Sequence, residues 1–212
     1  MKEMTKVRNP FFARLYTRMM QSEDPKQVEH RRELLSGVSG RVFELGAGTG
    51  GNFAHYPPEV TTLVAAEPEP YLRERATEAA STAPVAVEVV DAVADDLPFE
   101  DESFDAAVAC LVLCTVPDQQ KALSELRRVV RPGGELRFYE HVRADRQPLR
   151  AFLGFADKTF WPFIGGGCHP TRDTLPAIEQ AGFAIEQSRN FPYSPDRFIP
   201  PLPHILGVAR RS

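Results

Sequence analysis

The chain has 212 residues, enough for one domain with an ordinary core and cramped for two. Its 42% hydrophobic and 25% charged content is that of a globular protein, and a net charge of −4 argues against a nucleic-acid partner, which asks for a basic face. No run approaches the ~20 apolar residues that span a bilayer. The N-terminus carries no signal-type apolar segment, so a cytoplasmic location is the expectation.

Strand and helix patterns alternate, which predicts an α/β fold: a single Rossmann-like domain whose mostly parallel, seven-stranded sheet has helices on both faces. Residues 10–21 read as a short amphipathic helix with Phe11, Phe12, Leu15, Tyr16 and Met19 on one side. A second helix covers Pro25 to Leu35. Arg41 to Leu45 is a short buried strand that runs straight into glycines, and a helix is expected from near Gly51 and Asn52. Thr61 to Glu67 is the second strand, Pro70 opens a helix to about Ser81, and Val85 to Asp91 is the third strand.

Phe104 to Leu113 is a continuous apolar run of the kind found in a central strand. Asp118 caps a helix whose Ala122, Leu123, Leu126, Val129 and Val130 recur at helical spacing, stopping at Arg131-Pro132-Gly133-Gly134. Arg127, Arg128 and Arg131 fit its solvated face. Glu135 to His141 is a fifth strand. Residues 142–170 read as irregular and aromatic-rich. Thr171 to Gln180 is a helix closed by Gly182, and Phe183 to Arg189 and His204 to Ala209 are the last strands. The expected division is an N-terminal helical lid (1–38), a cofactor-binding core (39–141) and an acceptor-side segment with the last strands (142–212).

Glu44-Leu45-Gly46-Ala47-Gly48-Thr49-Gly50 carries the first chemistry. Glycines after a strand let the backbone turn sharply and let a ligand approach with no Cβ in the way. Glu67, at the end of the next strand, can take both ribose hydroxyls of an adenosine. Gly46, Gly48 and Gly51 also match the dinucleotide fingerprint, so a nicotinamide-dependent oxidoreductase is an alternative. The absence of a Tyr-x-x-x-Lys pair counts against its short-chain form. Glu44 suits the ammonium of a methionine moiety better than a pyrophosphate.

Four motifs in order then carry a resemblance. They are the glycine loop, Asp96-Leu97-Pro98-Phe99, Glu102-Ser103-Phe104-Asp105, and Leu126-Arg127-Arg128-Val129-Val130-Arg131-Pro132-Gly133-Gly134. From Arg41 to about Gly134 the chain resembles a class I methyltransferase of the small-molecule and ubiquinone-type branch. Cys110 to Val116, Tyr139-Glu140-His141-Val142 and Gly167-Cys168-His169-Pro170-Thr171-Arg172 are similar to the methyltransferase-like proteins that methylate alkyl thiols in animals. Those carry an N-terminal hydrophobic anchor, which is not expected here.

The resemblance implies S-adenosylmethionine as cofactor and a small-molecule acceptor. It places Glu44, Gly46, Ala47, Gly48, Thr49, Gly50 and Asn52 at the methionine end, and Glu67 and Pro68 at the ribose and adenine. It puts Ala94 and Asp95 at the adenine edge, with Asp91 and Asp96 competing for that place, and Leu111 and Val112 near the sulfonium. A protein that binds the cofactor without turnover is the remaining alternative.

His141, ending the fifth strand at the carboxyl edge of the sheet, is the candidate base. Tyr16 is a second catalytic candidate, if the first helix forms a lid. His169 could roof the pocket, and Phe152, Phe155, Phe160, Trp161 and Phe163 could line it for an apolar acceptor or pack a cap on the sheet. Cys110, Cys114 and Cys168 are odd in number and form no Cys-x-x-Cys pair, so no disulfide framework and no metal site is expected.

Overall fold

A computed structural model describes residues 13–14, 17–18, 24–194 and 201–212. Its strands are β1 (Gly40–Leu45), β2 (Val60–Ala66), β3 (Val87–Val90), β4 (Phe104–Cys110), β5 (Val130–His141), β6 (Phe183–Tyr193) and β7 (Leu202–Arg211). Its helices are α1 (Pro25–Leu35), α2 (Pro70–Ala80), α3 (Gln119–Val129), α4 (Leu149–Lys158), α5 (Trp161–Ile164) and α6 (Thr174–Gln180). The strands form one seven-stranded sheet in the order β3-β2-β1-β4-β5-β7-β6. β1 to β5 pair in parallel, while β7 runs antiparallel to both β5 and β6. The fold is thus a single α/β Rossmann-like sheet that is mostly parallel and mixed at one side.

Alternation along each strand sends side chains to two separate cores. Phe43 and Leu45 of β1 join Ala107 and Ala109 of β4, packed by Leu123 and Leu126 of α3 and Ile178 of α6. Val42 joins Ala106 and Val108, packed by Leu34 and Leu35 of α1 and Ala76 of α2. Asp118 caps α3 by accepting from the backbone N–H of Gln120 and Lys121 at 3.1 Å, and Glu69 caps α2 by accepting from Leu72 at 2.8 Å.

The chain builds outward from β1 through β2 to β3, then returns to add β4 and β5 on the other side. The carboxyl ends of β1 and β4 therefore meet at a topological switch point, the crevice where such sheets take ligands.

Several expectations need correction. No helix follows Gly51: only a single 3-10 turn, Phe53–His55, forms there. Tyr56 is held extended, at φ −66° and ψ 133°, because it precedes Pro57. β4 ends at Cys110, since Leu111 takes a left-handed φ of +56°, and the apolar run continues as a loop whose Leu111 and Val112 are half-buried and whose Leu113 is buried. Residues 142–170 contain α4 and α5, where Leu149, Leu153 and Ala156 recur at helical spacing. α6 starts at Thr174, after Asp173 rather than at Thr171. β6 runs on to Tyr193, its Pro192 tolerated because β6 is an edge strand. In the first expected helix, Ala13, Arg14, Thr17 and Arg18 are helical. Tyr16 and its apolar neighbours Phe11, Phe12, Leu15 and Met19 lie outside the described residues.

Candidate active site

The glycine loop leaves β1 and turns against the loop that leaves β4. Gly46 has φ +66°, and a Cβ on it would fall 2.3 Å from Cγ2 of Val112. The two loops touch only because residue 46 has no side chain. Gly48 donates its N–H to Oε2 of Glu67 at 2.8 Å, and Ala47 N–H reaches the Ala66 carbonyl at 2.9 Å. Thr49 is half-buried at the turn.

Glu44 alternates with Phe43, so it points to the α1 side of the sheet. It is buried and accepts from Nδ2 of Asn52 at 2.9 Å and from the Tyr56 hydroxyl at 2.7 Å. Burial pushes its carboxyl up to about 7, against the pull of those two bonds and of Arg31. Arg31 of α1 is itself buried and donates to Oδ1 of Asn52 at 2.6 Å and to Sγ of Cys110 at 3.5 Å. Burial also raises the Cys110 thiol to about 11, which keeps it protonated.

Sequence reasoning expected Glu44 and Asn52 at the methionine end but missed Arg31 and the grip of Tyr56. The signal for Arg31 was present: Gln27, Arg31, Leu34 and Leu35 share the buried stripe of α1, an unusual place for a guanidinium.

Glu67, just past β2, is buried and accepts from Gly48 N–H and, through Oε1, from Glu69 N–H at 2.9 Å. Burial raises its carboxyl to about 7. Each oxygen keeps acceptor capacity for a hydroxyl. Arg73 donates to the Glu67 and Pro68 carbonyls at 2.8 and 3.0 Å and pairs with Asp91 at 3.0 Å. Asp91 is thereby engaged, while Ala94 and Asp95 sit in the turn closed by the Val93–Asp96 bridge, with Asp95 exposed.

Glu140 of β5 is fully buried. Its Oε1 accepts from Val112 N–H at 3.0 Å and Leu113 N–H at 2.8 Å, and its Oε2 accepts from Cys114 N–H at 3.1 Å. This carboxyl too is raised to about 7 by burial, with the three N–H bonds pulling the other way. Leu111 is pinned by its N–H to the Tyr139 carbonyl at 2.7 Å. Leu111 and Val112 are thus presented by a loop that Glu140 holds, a function of Glu140 that the sequence did not reveal.

His141 lies where expected, at the end of β5, with Nδ1 3.6 Å from Sγ of Cys114 and 3.6 Å from Sγ of Cys168. The ring of His204 lies 4.4 Å from its own, and burial lowers the pKa of His204 to about 3. Hydrogen bonding with Cys114, and then His141, draws the Cys168 thiol well below its ordinary range, while Cys114 is pushed up. His169 bonds Oδ1 of Asp157 at 2.8 Å through Nδ1 and is part of a braced loop rather than a free roof. Phe152, Phe155, Phe160 and Phe163 are exposed, Phe163 by 80%, so they line no closed pocket. Trp161 instead packs against Ala144, Leu153 and Leu202.

These residues fit the sulfonium nucleoside that the resemblance implies. The loop is bare of Cβ atoms at its closest approach, Glu67 offers carboxylate oxygens at the ribose end, and Glu44 places a buried acid beside Asn52. No helix among the described residues is long and apolar enough to cross a membrane.

A methyltransferase-domain family profile matches residues 43–138. The chain is 37% identical to the Homo sapiens protein named thiol S-methyltransferase TMT1B, over 94% of this chain and 85% of that one. It is 32% identical to Homo sapiens thiol S-methyltransferase TMT1A, over 93% and 82%. A crystal structure titled a putative methyltransferase from Bacillus halodurans C-125 superposes with a TM-score of 0.72 at 17% identity, covering 88% of this chain and 99% of that one, a likeness of fold. Agreement that runs nearly end to end decides against the nicotinamide alternative, and the chain belongs to the class I S-adenosylmethionine-dependent methyltransferases.

Proposed function

We propose that the acceptor of this methyltransferase is a small apolar thiol. The observation that carries the reading is the 37% identity to a protein named a thiol S-methyltransferase, spread over 94% of this chain. A thiol is also the acceptor that asks least of the protein. A thiol of pKa about 8.5 ionises readily, whereas a hydroxyl, amine or carbon acceptor needs a base nearby.

S-adenosylmethionine supplies an activated methyl group. Glu44 and Asn52 stand to receive the ammonium, with Gly46 to Gly50 shaping the turn around the methionine end. Glu67 and Pro68 take the ribose and adenine, and Ala94 and Asp95 the adenine edge, since Asp91 is spoken for by Arg73. Leu111 and Val112 exclude water beside the reacting centre, which spares a cation from competing solvent. His141 handles the acceptor's proton. Tyr16 would close the site as part of a lid formed by residues 1–38, over a core of 39–141 and an acceptor-side segment of 142–212. We place the protein in the cytoplasm, acting without nucleic acid.

The test is radiolabelled methyl transfer across an alkyl thiol, a phenol, an amine and a quinone. Label in the thiol product alone supports the reading. Label in another acceptor, or cofactor binding with no transfer at all, overturns it.

A further inference from the structure

Cys114, His141 and Cys168 come from three separate segments: the loop after β4, the end of β5 and the glycine-rich turn before α6. One ligand atom from each lies within 4.8 Å of the others, and Nδ1 of His141 is 3.6 Å from both sulfurs. Zinc bonds of about 2.3 Å to sulfur and 2.0–2.1 Å to nitrogen, at a tetrahedral angle, separate N and S by ~3.6 Å. The two measured separations equal that edge. Hydrogen bonding alone does not require both sulfurs to face one ring nitrogen at the same distance. We propose that Cys114, His141 and Cys168 form a zinc site with three protein ligands, whose fourth position takes the acceptor's sulfur.

Hydrogen bonds tie together the segments that carry the three ligands. Glu140 fixes the Cys114 backbone from below through its N–H at 3.1 Å. The His169 N–H bonds the Cys114 carbonyl at 2.7 Å, which ties the Cys168 segment to the Cys114 loop. Arg172 donates to the carbonyls of Leu113 at 2.5 Å and Val116 at 2.6 Å, clamping the same two segments from the other side. Supporting bonds of this kind hold ligands in place and tune a metal site. Cys114 and Cys168 are buried and His141 is half-buried.

Three protein ligands with one open position is the arrangement of catalytic rather than structural zinc. Here the cluster borders the loop that carries Leu111 and Val112. An acceptor thiol entering the fourth position loses its proton to solvent. Its sulfur lone pair then forms the new S–CH3 bond as the bond from that methyl to the cofactor's sulfonium breaks, leaving the pair on the departing sulfur. His141 then serves as a ligand, and the metal does the work assigned above to a base. This last part rests on the thiol reading, whereas the metal site stands on geometry alone.

The experiment uses the full chain, purified under reductant from zinc-supplemented medium. Zinc is measured by mass spectrometry, cobalt(II) is titrated as a spectroscopic probe, and S-adenosylmethionine binding is measured on the same samples. We expect about one zinc per chain and a thiolate-to-cobalt charge-transfer band. Cys168→Ser and His141→Ala should weaken zinc by ~100-fold or more in chelator competition while still binding the cofactor, at least the loss seen when an outer-shell partner is removed. A wild-type chain that binds cofactor but holds no zinc and gives no band overturns the proposal. So does a Cys114–Cys168 disulfide that forms in place of metal, or undiminished zinc in both variants. An alkyl thiol that shifts the cobalt spectrum supports the open position. A thiol methylated equally well by zinc-stripped enzyme leaves the acceptor reading intact and refutes the metal's part in it.

Discussion

Glu140→Gln isolates what holds the loop after β4. The carboxylate takes three backbone N–H groups, two on Oε1 and one on Oε2. A carboxamide in the same place has one oxygen. With that oxygen toward Val112 and Leu113, the amide NH2 faces the Cys114 N–H, donor against donor. One buried donor left without a partner costs about 1–3 kcal/mol, and two bonds to a charged acceptor become neutral ones, each weaker by ~1 kcal/mol. The removal of a buried charge offsets part of this, because the carboxyl is raised to about 7 and is half protonated at neutral pH. The net is roughly 2–4 kcal/mol, or a fall in melting temperature of roughly 5–15 °C for a chain of this size. The loop also presents Leu111 and Val112, so cofactor affinity should fall with stability. The assay is thermal melting with and without S-adenosylmethionine, backed by calorimetric titration. A variant that melts within a degree of wild type and binds cofactor as tightly would refute the cradle.

Other outcomes follow from the same geometry. Glu67→Ala removes the acceptor proposed for two ribose hydroxyls, worth ~1.5–3 kcal/mol each to a charged group, so affinity by calorimetry should drop ~100-fold or more; unchanged affinity would contradict the ribose assignment. Gly46→Ala places a Cβ 2.3 Å from Val112 at a left-handed φ, and should abolish cofactor binding in the same titration. Stability should fall as pH rises from about 5 to 7. Glu44, Glu67 and Glu140 are raised from 4.5 to about 7, so in that interval the folded state holds more protons than the unfolded one, and each carboxyl withdraws up to roughly 3 kcal/mol as it ionises. His204, lowered to about 3, acts in the opposite sense: its contribution is complete above the unfolded pKa near 6.5 and is lost as pH falls toward 3. His30, lowered by burial, and Cys168, drawn down by its bonds to Cys114 and His141, act in the same sense as His204, so the three carboxyls prevail by a small margin below pH 7, and melting curves that rise steeply with pH there would contradict the assignment. Glu140→Gln should flatten the slope by half or more, because the slope is the net of the carboxyls against the lowered groups, an effect that a merely looser loop would not produce.

How much of this was legible in the residues depends on how far apart the partners lie in the chain. The sheet could be read because each strand carries its own signal, and the run from Glu44 through Gly46 and Gly48, with Glu67 just past the next strand, was legible because a strand running into glycines is a local pattern. The end of β4 could not, because Leu111 leaves the strand while the hydrophobicity of Leu111, Val112 and Leu113 continues unbroken, and apolar periodicity cannot tell a buried loop from a buried strand. Glu140 was invisible for another reason. A carboxylate that accepts three N–H groups 26 to 28 residues away leaves no mark at its own position beyond an acid in an apolar strand. The same limit applies to the cysteines. Spacing rules find metal sites whose ligands come in short pairs, but Cys114, His141 and Cys168 are 27 residues apart at each step, and they meet only because the turn before α6 folds back onto the neighbouring ends of β4 and β5. The expectation of no metal followed from the absence of Cys-x-x-Cys. That absence bears on sites built within one turn of chain, whereas Cys114, His141 and Cys168 meet from three separate segments.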